Sequence, residues 1–262
     1  MKRADVVSVR GLLSGNARYR PAAGHRGFSW TPAEVAQLLV DLELSARNDE
    51  DEDDEFAPDE RFYLGVISVT PSKNGLYTLI DGSQRLTTLA LMLAFARDRI
   101  DDGSERQRID RMLVRRSMAR PPEPRIRLTP EDHAWYSHFI LPPGATRRLP
   151  SQAPLGSPRE LLVAARFMEQ AFADYDQDDL WRLTGFVSYH AAVVRSVAAP
   201  GATWSSLTLN ASTGTTEFPA PPQFQSRFPP QPEPPFPPPS RPDHYGVAAE
   251  QVRAPPAVDT TT

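Results

Sequence analysis

Apolar residues recur at helical spacing through much of the first 200 residues. In the clearest case, Thr31 and Pro32 suit the cap and the first residue of a helix, and apolar side chains follow at helical intervals. The spacing predicts helices over about 32–46, 86–99 and 161–172, and a helix followed by a strand is expected over 179–198. A basic helix is also expected at 105–118 and a short helix at 130–139.

Two runs of β-branched and aromatic residues lie between the first two predicted helices. Residues 62–69 and 76–80 flank the turn-forming segment 71–75, whose Asn-Gly pair suits positive φ. The sequence therefore predicts an antiparallel hairpin here. A further strand is expected at 125–128, whereas residues 17–30, with a proline and two glycines, are expected to be irregular.

Composition changes near residue 200. Of the 28 prolines, 14 lie between Pro219 and Pro256, in a stretch without hydrophobic periodicity. Such composition predicts a disordered or polyproline-like tail. The seven consecutive acidic residues at 49–55 are expected to form a solvated loop, because like charges in such a block repel one another.

Charge and cysteine content narrow the classes of function. The chain has no cysteine, which excludes disulfides, thiolate zinc sites and cysteine nucleophiles. The net charge of -4 argues against tight, unaided binding of duplex DNA. No apolar run is long enough for a transmembrane helix, so no membrane partner is expected, and we expect a cytoplasmic protein.

A short polar loop, Asp81-Gly82-Ser83-Gln84-Arg85, joins the second predicted strand directly to a helix. Gly82 permits a tight turn, and the first free N–H groups of the helix favour an anion. Arg85 in the first helical turn opposes the helix dipole unless an anion lies between the two. Asp81 or Ser83 acting as a simple helix cap remains an alternative.

Residues 77–89, which contain this loop, resemble the Asp-Gly-Gln-Gln-Arg motif of the GmrSD restriction-system N-terminal domain family. Three other segments resemble landmarks of that family in the same order. Residues 25–30 resemble its Gln-Arg-x-Tyr-Ser-Trp segment, 38–42 the helix after it, and 62–67 its Tyr-Phe-Leu-Gly strand. The chain departs from these motifs at His25, Phe28 and Ser83, where the family has Gln, Tyr and Gln.

The resemblance implies an α+β fold like that of ParB and sulfiredoxin, a small mixed sheet with helices. It predicts a nucleotide-binding core over 1–118, a partial helical extension over 119–200 and a disordered proline-rich tail over 201–262. Beyond residue 198 the later elements of the family pattern find only a faint echo. The chain is therefore expected to be C-terminally truncated, without the nuclease domain that full-length relatives carry.

The resemblance also implies a function and a set of site residues. The function is binding of a nucleoside triphosphate (NTP) and its Mg²⁺-dependent hydrolysis, in a phage-defence restriction system directed at foreign or modified DNA. Its implied partners are DNA and a separate nuclease subunit or domain. The implied site comprises Arg26, Asp81, Gly82, Ser83, Gln84, Arg85, Thr87 and Thr88.

Each predicted site residue has an implied role. Arg26 and Arg85 would neutralise phosphates, and Gly82, Ser83, Thr87 and Thr88 would complete the nucleotide contacts. Asp81 would hold Mg²⁺ or orient the attacking water, and Gln84 would position water or a phosphate oxygen. The alternatives are a non-catalytic module that senses nucleotide or DNA, and an inactive truncated remnant.

Two groups of side chains, one aromatic and one basic, each allow a functional and a structural interpretation. Phe28 and Trp30 either stack on a base or pack in the core. The arginines at 106–116 either contact DNA phosphates or form a solvated helix face paired with nearby acids.

Overall fold

The computed structural model describes residues 3–48, 61–118 and 120–198, so the predicted acidic loop at 49–55 and the proline-rich tail lie outside the described residues. Helices and strands alternate irregularly over these ranges, which confirms the α+β prediction. The elements are β1 (Arg3–Ser8), α1 (Val9–Leu12), β2 (Arg18–Pro21), α2 (Pro32–Asn48), β3 (Phe62–Pro71), β4 (Leu76–Asp81), α3 (Ser83–Arg99), α4 (Gly103–Leu113), β5 (Val114–Ser117), β6 (Arg120–Pro124), α5 (Pro130–Phe139), α6 (Ser157–Ala171), α7 (Gln177–Tyr189) and β7 (Ala191–Val197).

Five strands form a mixed sheet in the order β1-β7-β3-β4-β2. The predicted hairpin of β3 and β4 is antiparallel, and Asn74 in its turn has a φ of 59°. β7 pairs parallel with β3 and antiparallel with β1. The stretch predicted as a helical extension therefore contributes an interior strand to this sheet.

The prediction that residues 17–30 are irregular is wrong at β2. This short strand pairs parallel with β4 and buries the ring of Tyr19 completely. The main-chain groups of Tyr19 also bond Arg125 O at 2.7 Å and Arg127 N at 2.8 Å. The strand predicted at 125–128 is accordingly reduced to a single bridge between Tyr19 and Ile126.

The basic helix predicted over 105–118 ends early. α4 stops at Leu113, and β5 then pairs antiparallel with β6. Three prolines in the following segment exclude helix but are tolerated in a two-stranded ribbon, where a missing N–H can face solvent. Several arginines of this region bond nearby acids, in the pairs Arg108–Glu105, Arg116–Asp110 and Arg115–Glu123.

α3 lies at the centre of the core. Every residue from Leu86 to Asp98 is buried, so neighbouring elements cover this helix on all sides. None of the described helices, α3 included, combines the length and the apolar character needed to cross a membrane. Because α3 follows β4 after one residue, the sheet and the core together fix the position of its N-terminus.

Candidate functional site

An open cleft of about 1170 Å³ lies where β3 and β4 meet the start of α3. Its lining contains the whole Asp81–Arg85 loop, residues 22–26 and Trp30. The structure therefore brings Arg26 to the same cleft as Arg85, although the two are far apart in the chain.

The N-terminus of α3 opens into this cleft without a capping side chain. Its N-cap residue is Gly82, in the left-handed conformation with a φ of 89° and no side chain to accept from the helix. Asp81 Oδ1 accepts from Gly82 N at 2.7 Å, which fixes the turn. The free N–H groups of the first helical turn therefore remain available to an anionic ligand.

The space beside Gly82 leaves no room for a side chain, because Ile67 of β3 occupies it. A Cβ atom at this position would lie 2.6 Å from Ile67 Cγ2 and 3.3 Å from Ile67 Cα. We expect Gly82→Ala to lower the free energy of unfolding by about 2–3 kcal/mol, because left-handed strain and overlap add together. Urea denaturation measures this change.

Gly15→Ala is the matched control for Gly82→Ala. Gly15 also has a positive φ, of 55°, but a Cβ there would meet no atom within 4 Å. Gly15→Ala should therefore lower the free energy of unfolding only by the backbone strain, about 1 kcal/mol. Equal losses in the two variants would show that the contact with Ile67 has no effect.

The Arg85 guanidinium lies against β3 and lines the cleft. Its carbon is 3.4 Å from the position of a Cβ on Gly65, and Nη1 donates to Val66 O at 3.3 Å. Burial lowers the pKa of Arg85, and the charge of Asp81 opposes this shift. No ion pair with Arg85 is found among the described residues, so a desolvated cation faces the cleft with room for an anionic partner.

The cleft carries more positive charge than the sequence predicted. Within the described part of the chain, Arg20, Arg26 and Arg85 line it together with a single carboxylate, that of Asp81. Arg20 was not among the predicted site residues, because the strand that positions it was not predicted. On β2 it lies opposite Thr78 of β4, and its Nε donates to Thr78 Oγ1 at 3.4 Å.

Gln84 and Asp132 hold the segment that carries Arg26. Gln84 Nε2 donates to Gly27 O at 3.0 Å, and Gln84 Oε1 accepts from Ser29 N at 2.9 Å. From α5, the buried Asp132 accepts from Phe28 N at 2.8 Å. Both polar ends of the Gln84 amide are thus occupied by backbone, and residues 27–29 are fixed from two sides.

A family model described as the GmrSD restriction endonuclease N-terminal domain matches residues 9–144, slightly more than half of the 262 residues. The chain belongs to this family. Membership in the GmrSD N-terminal domain family links the protein to a restriction system. None of the curated proteins compared with the chain matches it.

The GmrSD match includes every residue that lines the cleft and both side chains that hold residues 27–29. Within this segment, Phe28 is buried in the core, as one of its two interpretations predicted. Trp30 is partly buried against the core and also lines the cleft. The segment is therefore anchored by one ring and borders the cleft with the other.

Two side chains that were predicted to contact a nucleotide, those of Thr87 and Thr88 in the GmrSD motif region, lie away from the cleft. Thr87 Oγ1 donates to Ser83 O at 2.8 Å, and Thr88 Oγ1 donates to Gln84 O at 3.1 Å. Both side chains are buried, and neither lines the cleft. Their hydroxyls stabilise the first turns of α3, so they support the site through the helix.

The cleft of this GmrSD domain suits a metal ion that arrives with a ligand. No group of three or more His, Asp or Glu side chains arranged to hold a metal occurs in the described part of the chain. Asp81 nevertheless supplies one carboxylate at the cleft. Mg²⁺ commonly binds through one or two carboxylates together with substrate phosphates and water, so the residues present fit that mode.

Proposed function

We propose that the cleft binds a nucleoside triphosphate and that the protein hydrolyses it with Mg²⁺, as part of a restriction system directed at foreign or modified DNA. One observation carries the proposal: among the described residues, three arginines and an uncapped helix N-terminus converge on a cleft that a single carboxylate lines. A guanidinium fork matches phosphate oxygens, and a helix N-terminus favours the same charge. The cleft volume of about 1170 Å³ is ample for a ligand of nucleotide size.

The position of each residue at the cleft suggests its role in phosphoryl transfer. Arg85, at the start of α3, and Arg26, on the segment before α2, both line the cleft and would neutralise the phosphates together. Asp81 would hold Mg²⁺, which supplies charge neutralisation at the phosphate oxygens when bound. Gln84 would act by holding residues 27–29 in place, since its amide already bonds Gly27 O and Ser29 N.

Family membership supports the biological side of the proposal. The family is named for a restriction endonuclease, which cuts foreign DNA. We therefore propose that nucleotide turnover here is coupled to a nuclease on a separate subunit or domain. DNA would reach the assembly as the target of that nuclease.

Two measurements on the purified chain test the proposal. A titration with each nucleoside triphosphate measures binding, and phosphate release in Mg²⁺ measures hydrolysis. Release with one or more nucleotides supports the proposal. Binding without release would favour a non-catalytic sensing module, and neither would favour an inactive remnant.

Arg26→Ala tests the contribution of the second arginine of the cleft, which lies on the segment before α2. The Arg26 side chain is exposed, and no hydrogen bond from it is found within the described ranges, so its loss should leave the fold intact. We expect the Kd for the triphosphate to rise about tenfold, the loss of one charge-assisted contact. Isothermal titration calorimetry measures this change.

The matched control for Arg26→Ala is Arg111→Ala. Arg111 is an exposed arginine on α4 that donates to Gln107 Oε1 at 2.8 Å, and it does not line the cleft. Its replacement makes the same change in net charge. If both variants weaken binding equally, the effect comes from overall charge and Arg26 has no specific role.

A further inference from the structure

Ser83 and His25 contact each other at the mouth of the cleft. Ser83 Oγ lies 3.4 Å from His25 Nε2, and both residues line the cleft. The pair joins the first residue of α3 to the segment that carries Arg26. A serine hydroxyl within reach of an imidazole nitrogen is the arrangement by which a base activates a serine nucleophile. Such contacts are often long without substrate and shorten when it binds.

A second contact sets the orientation of the His25 ring. His25 Nδ1 lies 3.0 Å from the carbonyl oxygen of Arg26, which can only accept a hydrogen bond. The proton of the neutral ring therefore lies on Nδ1, and Nε2 carries the lone pair. The nitrogen that faces Ser83 is thus the one able to take a proton from its hydroxyl.

The surroundings of Ser83 suit attack on a phosphate group. Its hydroxyl stands at the uncapped N-terminus of α3, beside the cleft that Arg85 and Arg26 also line. These cations and N–H groups would lower the charge of a phosphate that a nucleophile approaches. Ser83 and His25 are also two of the positions at which the chain departs from glutamine in the motifs it resembles, and here the two departures contact each other.

We infer that Ser83 is a catalytic nucleophile with His25 as its general base, and that triphosphate hydrolysis proceeds through a phosphoserine at position 83. This inference rests on the proposed function for its substrate. It adds a covalent step to that function and assigns the attacking atom to the protein.

The covalent step transfers the γ-phosphoryl group of a nucleoside triphosphate first to Ser83 and then to water. Ser83 Oγ attacks the γ-phosphorus, its proton passes to His25 Nε2, and the bond to the bridging oxygen breaks with its electron pair leaving on the diphosphate. The imidazolium then returns its proton to the departing diphosphate. Water next attacks the phosphoserine, giving a proton to Nε2, and that proton passes to Ser83 Oγ as phosphate leaves.

Acid-quenched reactions with γ-labelled triphosphate and Mg²⁺ test the inference. The full chain should carry label during turnover, and peptide mass spectrometry should place one added phosphoryl group on Ser83. Ser83→Ala should carry no label and lose turnover about 100-fold, with triphosphate affinity changed by no more than a few-fold. His25→Gln should form the labelled species about 100-fold more slowly.

Each outcome separates this inference from the proposed function. Ser83→Ala that hydrolyses triphosphate at the parental rate would overturn the covalent step and leave hydrolysis standing, as would turnover by the parent without label. Ser83→Gln, which restores the side chain of the resembled motif, checks this further: turnover by that variant at the parental rate would show that no serine hydroxyl is needed and would overturn the covalent step. A parent that neither binds nor hydrolyses triphosphate would overturn both proposals, and Arg111→Ala should match the parent throughout.

Discussion

Replacement of Arg85 by alanine is expected to lower the rate of triphosphate hydrolysis by about 100-fold or more, the cost of losing one preorganised charge at a phosphoryl group. Among the three arginines of the cleft, Arg85 has the strongest structural reason to bind a phosphate. Burial against Gly65 removes water from the guanidinium, and no ion pair offsets that loss within the described residues. A desolvated cation interacts more strongly with a phosphate than an exposed one does. Steady-state phosphate release gives kcat and KM for this comparison.

Arg85→Lys is the informative partner of this variant. It keeps the charge but loses the planar fork and the fit over Gly65, so an intermediate kcat is expected. Thermal unfolding of each variant separates loss of function from loss of fold, because Arg85 also donates to Val66 O. An Arg85→Ala variant that folds normally and hydrolyses triphosphate like the parent would remove Arg85 from the site.

Local sequence features predicted the elements that position the Asp81–Arg85 loop. The β-branched runs and the Asn-Gly turn predicted the β3–β4 hairpin, and the apolar spacing after Arg85 predicted α3. These signals lie within a few residues of the loop they position. The loop itself was predicted as a candidate site because a glycine and an arginine at the start of a helix suit an anion, and because it resembles the Asp-Gly-Gln-Gln-Arg motif.

Other parts of the site depend on pairing between distant segments, which periodicity does not reveal. Arg20 reaches the cleft because β2 pairs with β4, and this strand has only four residues and ends in a proline, so it was too short to predict from its sequence. Asp132 lies in a helix that was predicted, but its bond to Phe28 N spans 104 residues. The interior place of β7 between β1 and β3 is likewise decided by long-range pairing. The sequence therefore located the loop, its flanking elements and Arg26, but missed Arg20 and the contact from Asp132.

A buried ionic network fixes the far end of α3, opposite the cleft. The side chain of Arg97 is completely inaccessible, and its Nε donates to Asp98 Oδ1 at 2.8 Å. Its other nitrogens donate to the carbonyl oxygens of Leu141 at 2.7 Å and Pro142 at 2.9 Å. Asp98 in turn accepts from Thr146 N and Oγ1, at 3.1 and 2.8 Å. The network thus joins α3 to the segment that follows α5.

We expect Arg97→Ala to lower the free energy of unfolding by about 3–5 kcal/mol, because it leaves Asp98 as a buried carboxylate without its cation and removes the donors to the carbonyl oxygens of Ile140, Leu141 and Pro142. Urea denaturation followed by circular dichroism measures the loss, and Arg111→Ala, at an exposed position, should change stability by less than about 0.5 kcal/mol. Since α3 begins at the cleft and ends at this network, the variant should also weaken triphosphate binding at temperatures where it starts to unfold. If the urea midpoint of Arg97→Ala is no lower than that of Arg111→Ala, the network contributes little to stability, and apolar packing alone holds α3 in place.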